Sequence, residues 1–126
     1  MKKVNDFIKY VNESQKTIAI DFDGVIHNDT KGFYDGTIYG RPIKGTKEAL
    51  LKLSQSYKLV IYSCKSNPKR PLINNKTGTE LIWEWLEHWG MKQYIHDVVE
   101  NKPNALYYID DKAISFDCWD NVLKVL

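Results

Sequence analysis

Short apolar runs break an otherwise polar chain, and each of the three strongest stops at residues that carry chemistry. Ile18–Ile20 leads into Asp21 and Asp23, Leu59–Tyr62 into Ser63 and Lys65, and Leu106–Ile109 into Asp110 and Asp111. Runs this short suit strands better than helices, and strands buried on both faces belong to covered parallel sheets. The spacing predicts a strand in the stretch Thr17–Gly24, built on Ile18–Ile20, and further strands at Lys58–Ser63, Leu106–Ile109 and, more briefly, Asp97–Glu100. Crevices beyond the carboxyl ends of such strands are where ligands bind.

Helical periodicity fills the gaps. Val4, Phe7, Ile8 and Val11 predict an amphipathic helix over 3–14 laid against the sheet. Thr46 is placed to cap a helix carrying Ala49, Leu50 and Leu53. Thr77-Gly-Thr-Glu80 reads as a capping box ahead of Leu81, Ile82, Trp85, Leu86 and Trp89, with Gly90 as the stop. Trp83 lies off that face, an exposure that suits a subunit or substrate contact and equally a lone surface aromatic. Residues 25–41, where Gly32, Gly36 and Gly40 punctuate Phe33, Tyr34 and Tyr39, predict a small flap over the first strand end, closed by Pro42 and Gly45. Phe116, Trp119, Val122, Leu123 and Leu126 make the last segment apolar enough to pack on the sheet. Alternating strand and helix predicts an α/β fold with right-handed crossovers and strand ends converging on one side.

Composition narrows the picture. The 126 residues suit one domain, 1–126, long enough to bury a core. A formal net charge of +2 argues for neither a nucleic-acid coat nor an acidic tail, so any basic surface is local. Cys64 and Cys118 have no CxxC partner, which fits neither a zinc cluster nor a disulfide framework and points to a reducing cytoplasm. The two lysines at the amino terminus precede no apolar h-region, and no run approaches about 18 apolar residues, so secretion and membrane spanning are not expected.

Asp21 and Asp23, two apart on extended chain, leave the backbone on the same side and can face one ligand, after which Gly24 permits a sharp turn. Carboxylates this close raise one another's pKa unless a cation or a shared proton lies between them. An EF-hand is excluded, because its sixth and twelfth positions would be Ile26 and Gly32 instead of glycine and glutamate. A solvated acidic turn is the plainer alternative. Lys65, Lys69, Arg70 and Lys76 form a cationic loop without an acid, kept irregular by Pro68 and Pro71, and suited either to phosphate contact or to solvent. Pro103 keeps Lys102 out of helical geometry.

Taken together, Asp21-Phe22-Asp23-Gly24-Val25, then Ser63, then Lys102-Pro103, then Asp110-Asp111 resemble the four signature motifs of the haloacid dehalogenase superfamily of aspartate-nucleophile phosphohydrolases. The resemblance covers Thr17 to about Trp119 and implies a Rossmann-like three-layer sandwich around a central parallel sheet. It implies that Asp21 attacks phosphorus and that Asp23 serves as acid and then base. It implies Mg²⁺ held by Asp21, the Asp23 backbone carbonyl and Asp110, with Asp111 close behind. Ser63 and Lys102 would bind the transferring phosphoryl oxygens, and Lys65 the substrate phosphate or its leaving group.

Relatives that act on small molecules commonly carry a cap domain. Here twenty residues separate Gly24 from Gly45, room for a flap and not for a cap, so the resemblance implies an open site. Such a site suits a large phosphorylated substrate such as a nucleic-acid end, or cover by another subunit of a homo-oligomer. Gly24, Tyr34, Arg41, Lys65, Lys69 and Arg70 are the expected substrate contacts, because aromatics beside cations suit a nucleotide. The expectation is a phosphomonoesterase acting on a nucleotide or polynucleotide end. A sugar or other metabolite phosphatase and a non-catalytic binding module stay open.

Overall fold

Thr17, Ile18, Ala19 and Ile20 are all buried, as a continuous apolar run requires when it passes through the middle of a sheet covered on both faces. In the computed structural model, which describes residues 16–32 and 34–126, they form β1 (Thr17–Asp21). The remaining strands are β2 (Lys58–Tyr62), β3 (Asp97–Val99) and β4 (Tyr107–Ile109). All pairings are parallel and the spatial order is β3-β2-β1-β4. The chain therefore steps outward from β1 to β3 and then returns to the other side of β1. That reversal puts a topological switch point between the carboxyl ends of β1 and β4, the position where an open α/β sheet has its natural crevice.

Helix α1 (Thr46–Ser54) connects β1 to β2, and α2 (Gly78–His88) connects β2 to β3. Both connections step in the same direction, so the right hand that such crossovers almost always take puts both helices on one face. Both also pack on the turn Lys92–Tyr94. The core gathers Ile18, Ile20, Phe22, Ile26, Leu50, Leu59, Ile61, Ile82, Trp85, Leu86, Met91 and Val98. Burying each large apolar side chain stabilises the fold by about 1.5–3 kcal/mol. The architecture is α/β. Among the described residues no helix is long and apolar enough to cross a membrane.

The Thr77–Glu80 capping box forms in both directions, and α2 buries Ile82, Trp85 and Leu86 before Gly90, at φ 72°, turns the chain. Three expectations need correction. Thr46 does not cap α1: Gly45 holds the N-cap at φ 88° with no side-chain bond, and Thr46 is the first, buried, helical residue. Trp83 is not an exposed outlier, because it packs partly buried against the core. The third concerns the last segment. It forms α3 (Trp119–Val125), yet Phe116, Trp119, Leu123 and Leu126 stay exposed, with Phe116 and Trp119 packed on each other at 5.4 Å. β4, at the edge of the sheet, is exposed as well, so this apolar segment does not find the covered strand it was expected to pack on. The expected helix 3–14 and Phe33 lie outside the described residues.

Hydrogen bonds join the two ends of the loop expected to form a flap, 25–41. Asn28 N–H donates to the Arg41 carbonyl and Ile43 N–H to the Ile26 carbonyl, both at 2.9 Å, which closes its base like a hairpin. Inside it, the Tyr39 hydroxyl accepts from Lys31 N–H and donates to the Gly32 carbonyl, while Lys31 lies over the Tyr34 ring.

Candidate active site

Parallel register places the acids. Ile20 pairs with Ile109, so Asp21 and Asp110 follow side by side as the chain leaves β1 and β4. Oxygen atoms of Asp21, Asp110 and Asp111 lie within 4.8 Å of one another at the switch point. Burial raises the Asp21 pKa to about 6, with the charges of Asp110, Asp111 and Asp23 adding to it and a 2.9 Å bond from Phe22 N–H opposing it. Asp110 is held the other way. Its carboxyl sits below the ordinary range because Lys112 N–H donates to it, with the Tyr62 hydroxyl (3.0 Å) and the charge of Lys102 (3.9 Å) assisting. Three oxygen donors around one point could hold a metal ion.

Gly24 is required at this point for two reasons. Its φ is +84°, and a Cβ there would stand 2.3 Å from Asp111 Oδ2. A side chain here would strain the backbone and oblige the exposed Asp111 carboxylate to turn aside.

Asp23 does not join the cluster with its side chain. A tight turn, in which the Phe22 carbonyl accepts from both Ile26 and His27 N–H at 2.9 Å, folds the chain back over Asp23. His27 Nδ1 then meets Asp23 Oδ1 at 2.8 Å, and Lys65 Nζ meets Oδ2 at 2.5 Å. Burial pushes the Asp23 pKa up, but the hydrogen bonds from His27 and Lys65, with the charge of Lys65, outweigh it and leave the pKa below the ordinary carboxylate range. If Asp23 contributes to a cation site it does so with its backbone, because both carboxylate oxygens are engaged elsewhere.

Lys65 is itself buried, at 5 % exposure, in the turn Cys64–Ser66 that follows β2. Gly78 seats that turn: a Cβ on it would stand 1.6 Å from the Lys65 carbonyl oxygen, so a larger residue would drive α2 off the turn. Ser63 is buried at the strand end, and its hydroxyl oxygen accepts Lys65 N–H at 3.1 Å as the cap of the turn. Lys102 lies half exposed at the rim, near Asp110 and over the Tyr62 and Tyr108 rings at 5.6 and 5.3 Å.

The expected substrate contacts divide. Arg70 and Lys65 line one cavity of about 360 Å³, with Pro71, Ile73 and Gly78 on one side and Asp35 and Gly36 of the flap on the other. Tyr34 precedes Asp35 at the exposed flap tip. Arg41 lines a different cavity, with Pro42, Lys47, Trp89 and Met91. Lys69 is exposed and absent from the Lys65 cavity; Asn67 Oδ1 accepts its backbone N–H in a local turn that sends its side chain to solvent. Lys76 pairs with Glu84, so the cationic loop is partly neutralised. The Tyr39 hydroxyl is held inside the flap, between Lys31 N–H and the Gly32 carbonyl.

His27 and Tyr62 were not singled out from the sequence. His27 had one available signal, its place four residues after Asp23 beside the apolar Ile26. Tyr62 precedes Ser63 at a strand end, and its reach past β1 to Asp110 depends on strand order, which no local pattern reveals.

No family model, no curated protein and no solved structure matches this chain.

Proposed function

We propose that the chain is a Mg²⁺-dependent phosphomonoesterase of the haloacid dehalogenase type, working through an aspartyl phosphate. The observation that carries this reading is the division of labour between two carboxylates two residues apart. Asp21 stands in an acidic cluster fit for a cation, and Asp23 is turned away onto Lys65 and His27. A cation held by Asp21, Asp110 and Asp111 would neutralise charge on the phosphoryl oxygens and on the attacking carboxylate.

In this reading an Asp21 oxygen attacks phosphorus as the bond from phosphorus to the leaving oxygen breaks, and Asp23 gives that oxygen a proton. Water then attacks the aspartyl phosphate, its proton passes to Asp23, and phosphate and free Asp21 are released. Asp23 must be protonated to begin. A phosphoryl group beside Lys65 competes for the ammonium, and as that pair loosens Asp23 Oδ2 becomes available to a proton. Ser63 and Lys102 border the same strand ends, where their hydroxyl and ammonium suit the phosphoryl oxygens.

For the substrate we infer a nucleotide or a nucleic-acid end. Support comes from the cavity between flap and loop, which shares Lys65 with Asp23 and so lies on the side where the leaving group departs. Its lining by Pro71, Ile73, glycine backbone and the planar head of Arg70 suits a flat ring better than a polyol.

A second reading, a phosphate-binding module without turnover, is favoured by one observation: both Asp23 oxygens are held by donors, which disfavours the protonated acid. Hydrolysis of an aryl phosphate separates the two. The proposal expects turnover that requires Mg²⁺ and falls more than about a thousandfold in Asp21→Asn. Phosphate binding without turnover in the wild type would favour the module, and full activity of Asp21→Asn would overturn the nucleophile.

A further inference from the structure

The imidazole of His27 is wholly buried, a costly place for a polar ring unless each nitrogen is satisfied. Both are. Gly40 N–H donates to Nε2 at 2.9 Å, so that nitrogen presents a lone pair, the ring proton belongs to Nδ1, and Nδ1–H donates to Asp23 Oδ1 at 2.8 Å. The faces and edges are fixed as well. Phe22 stacks on the ring at 5.4 Å and 14°, and Trp85 and Tyr39 meet it edge-on at 5.7 and 5.1 Å.

Residue 40 is tailored to this contact. A Cβ on Gly40 would stand 2.1 Å from the Asn28 carbonyl oxygen and 2.9 Å from His27 Nε2. The Gly40 carbonyl in turn accepts Trp85 Nε1–H at 2.9 Å, which ties the flap base to α2. A chain of bonds thus runs from α2 through Trp85, Gly40 and His27 to one oxygen of Asp23. An apolar side chain would fill the same space without needing two hydrogen bonds, so packing alone does not account for a histidine here.

We propose that His27 is a positioning residue for Asp23. By holding Oδ1 with a ring whose tautomer and orientation are both fixed, it sets the rotation of the carboxylate so that Oδ2 faces Lys65 and the leaving oxygen. The role rests on the phosphatase reading, in which Asp23 transfers the proton.

Two near-isosteres separate positioning from packing. Asparagine puts an N–H near the place of Nδ1, whereas glutamine puts its amide near Nε2 and leaves Asp23 without its donor. Both lose part of the ring packing, so their losses of thermal stability should be similar. The expected result, on a nucleoside monophosphate whose alkoxide leaves poorly, is that His27→Asn keeps kcat within about threefold while His27→Gln loses about ten- to a hundredfold. On dinitrophenyl phosphate, which needs no proton to leave, the first burst of phenolate should be near wild type in both. Equal loss in the two variants on every substrate, or a glutamine variant more active than the asparagine one, overturns the positioning role while leaving the phosphatase reading standing. A wild type inactive on both substrates brings down the phosphatase reading itself. Should neither variant fold, NMR of the wild-type imidazole nitrogens decides: a protonated Nδ1 and bare Nε2 support the proposal, and the opposite tautomer overturns it.

Discussion

The two strands that meet at the candidate site are built differently. β1 runs through the core, and the residues after it are fixed from several directions: Phe22 and Ile26 are buried, His27 is bonded at both nitrogens, and Lys65 is enclosed. β4 is a three-residue edge strand with exposed side chains, and the groups on either side of it in the chain, Lys102 before and Asp111 after, face solvent. Asp21 and Asp23 are thus placed by the packed surroundings of β1, whereas the outer acids are placed by hydrogen bonds from Tyr62 and Lys112 and by the gap left at Gly24. Rigid placement suits groups that must meet a reacting atom within a fraction of an ångström, and a looser rim suits groups that gather around an ion or admit a substrate.

The largest consequence is in stability. Phe22→Ala removes a buried ring that touches His27 and Trp85, and should cost about 3–5 kcal/mol. Trp119→Ala, at 69 % exposure, should change stability by less than about 0.5 kcal/mol. Urea melts of both variants check the contrast, and equal losses would show that the carboxyl-terminal segment is packed after all.

Next comes the cation. Gly24→Ala pushes a methyl against Asp111 and strains a positive φ, and Asp110→Asn removes a charge. Each should weaken Mg²⁺ binding by about tenfold or more, read by calorimetry. Tyr62→Phe, which loses one bond to Asp110, should do so by less.

A smaller effect follows from pH. Asp21 titrates near 6 in the fold and near 3.8 when unfolded, so between those values the folded chain holds the extra proton. Without a divalent cation, stability should therefore fall as pH rises through that window, and Asp21→Asn should melt higher than wild type at pH 8. Asp23 has the opposite sign: its lowered pKa contributes stability above the ordinary carboxylate range that is lost as the solution turns more acid. Mg²⁺ added at pH 8 should remove the Asp21 penalty, and a melting temperature indifferent to both pH and cation would contradict the cluster. The smallest effect is expected at Lys69, whose replacement by alanine should leave mononucleotide turnover within about twofold, since its side chain lies outside the cavity that Arg70 lines.

What the sequence made legible followed the same division. Strands ending in Asp21, Ser63 and Asp110 were readable because burial on both faces leaves an unbroken apolar run, and the α2 capping box was readable because its bonds are local. Asp21, Asp110 and Asp111 could be named as neighbours of one another because they follow strand ends. The direction of Asp23, the partnership with His27 and the reach of Tyr62 depend on how a turn folds and on which strand lies between which, and neither is written in local periodicity. The carboxyl-terminal segment misled because apolar spacing shows what can pack, not whether a covered strand lies beside it. Arg41 and Lys69 do not line the cavity that Lys65 and Arg70 share, because charges close in sequence need not share one cavity.

The most direct measurement is to quench the protein in acid during turnover of a labelled aryl phosphate and map any bound phosphate. The account predicts an acyl phosphate, labile to hydroxylamine, on Asp21, formed only with Mg²⁺ and accumulating in Asp23→Asn with the dinitrophenyl ester. Turnover with no phosphate on Asp21 under any of these conditions, or phosphate mapped to Ser63, would contradict it.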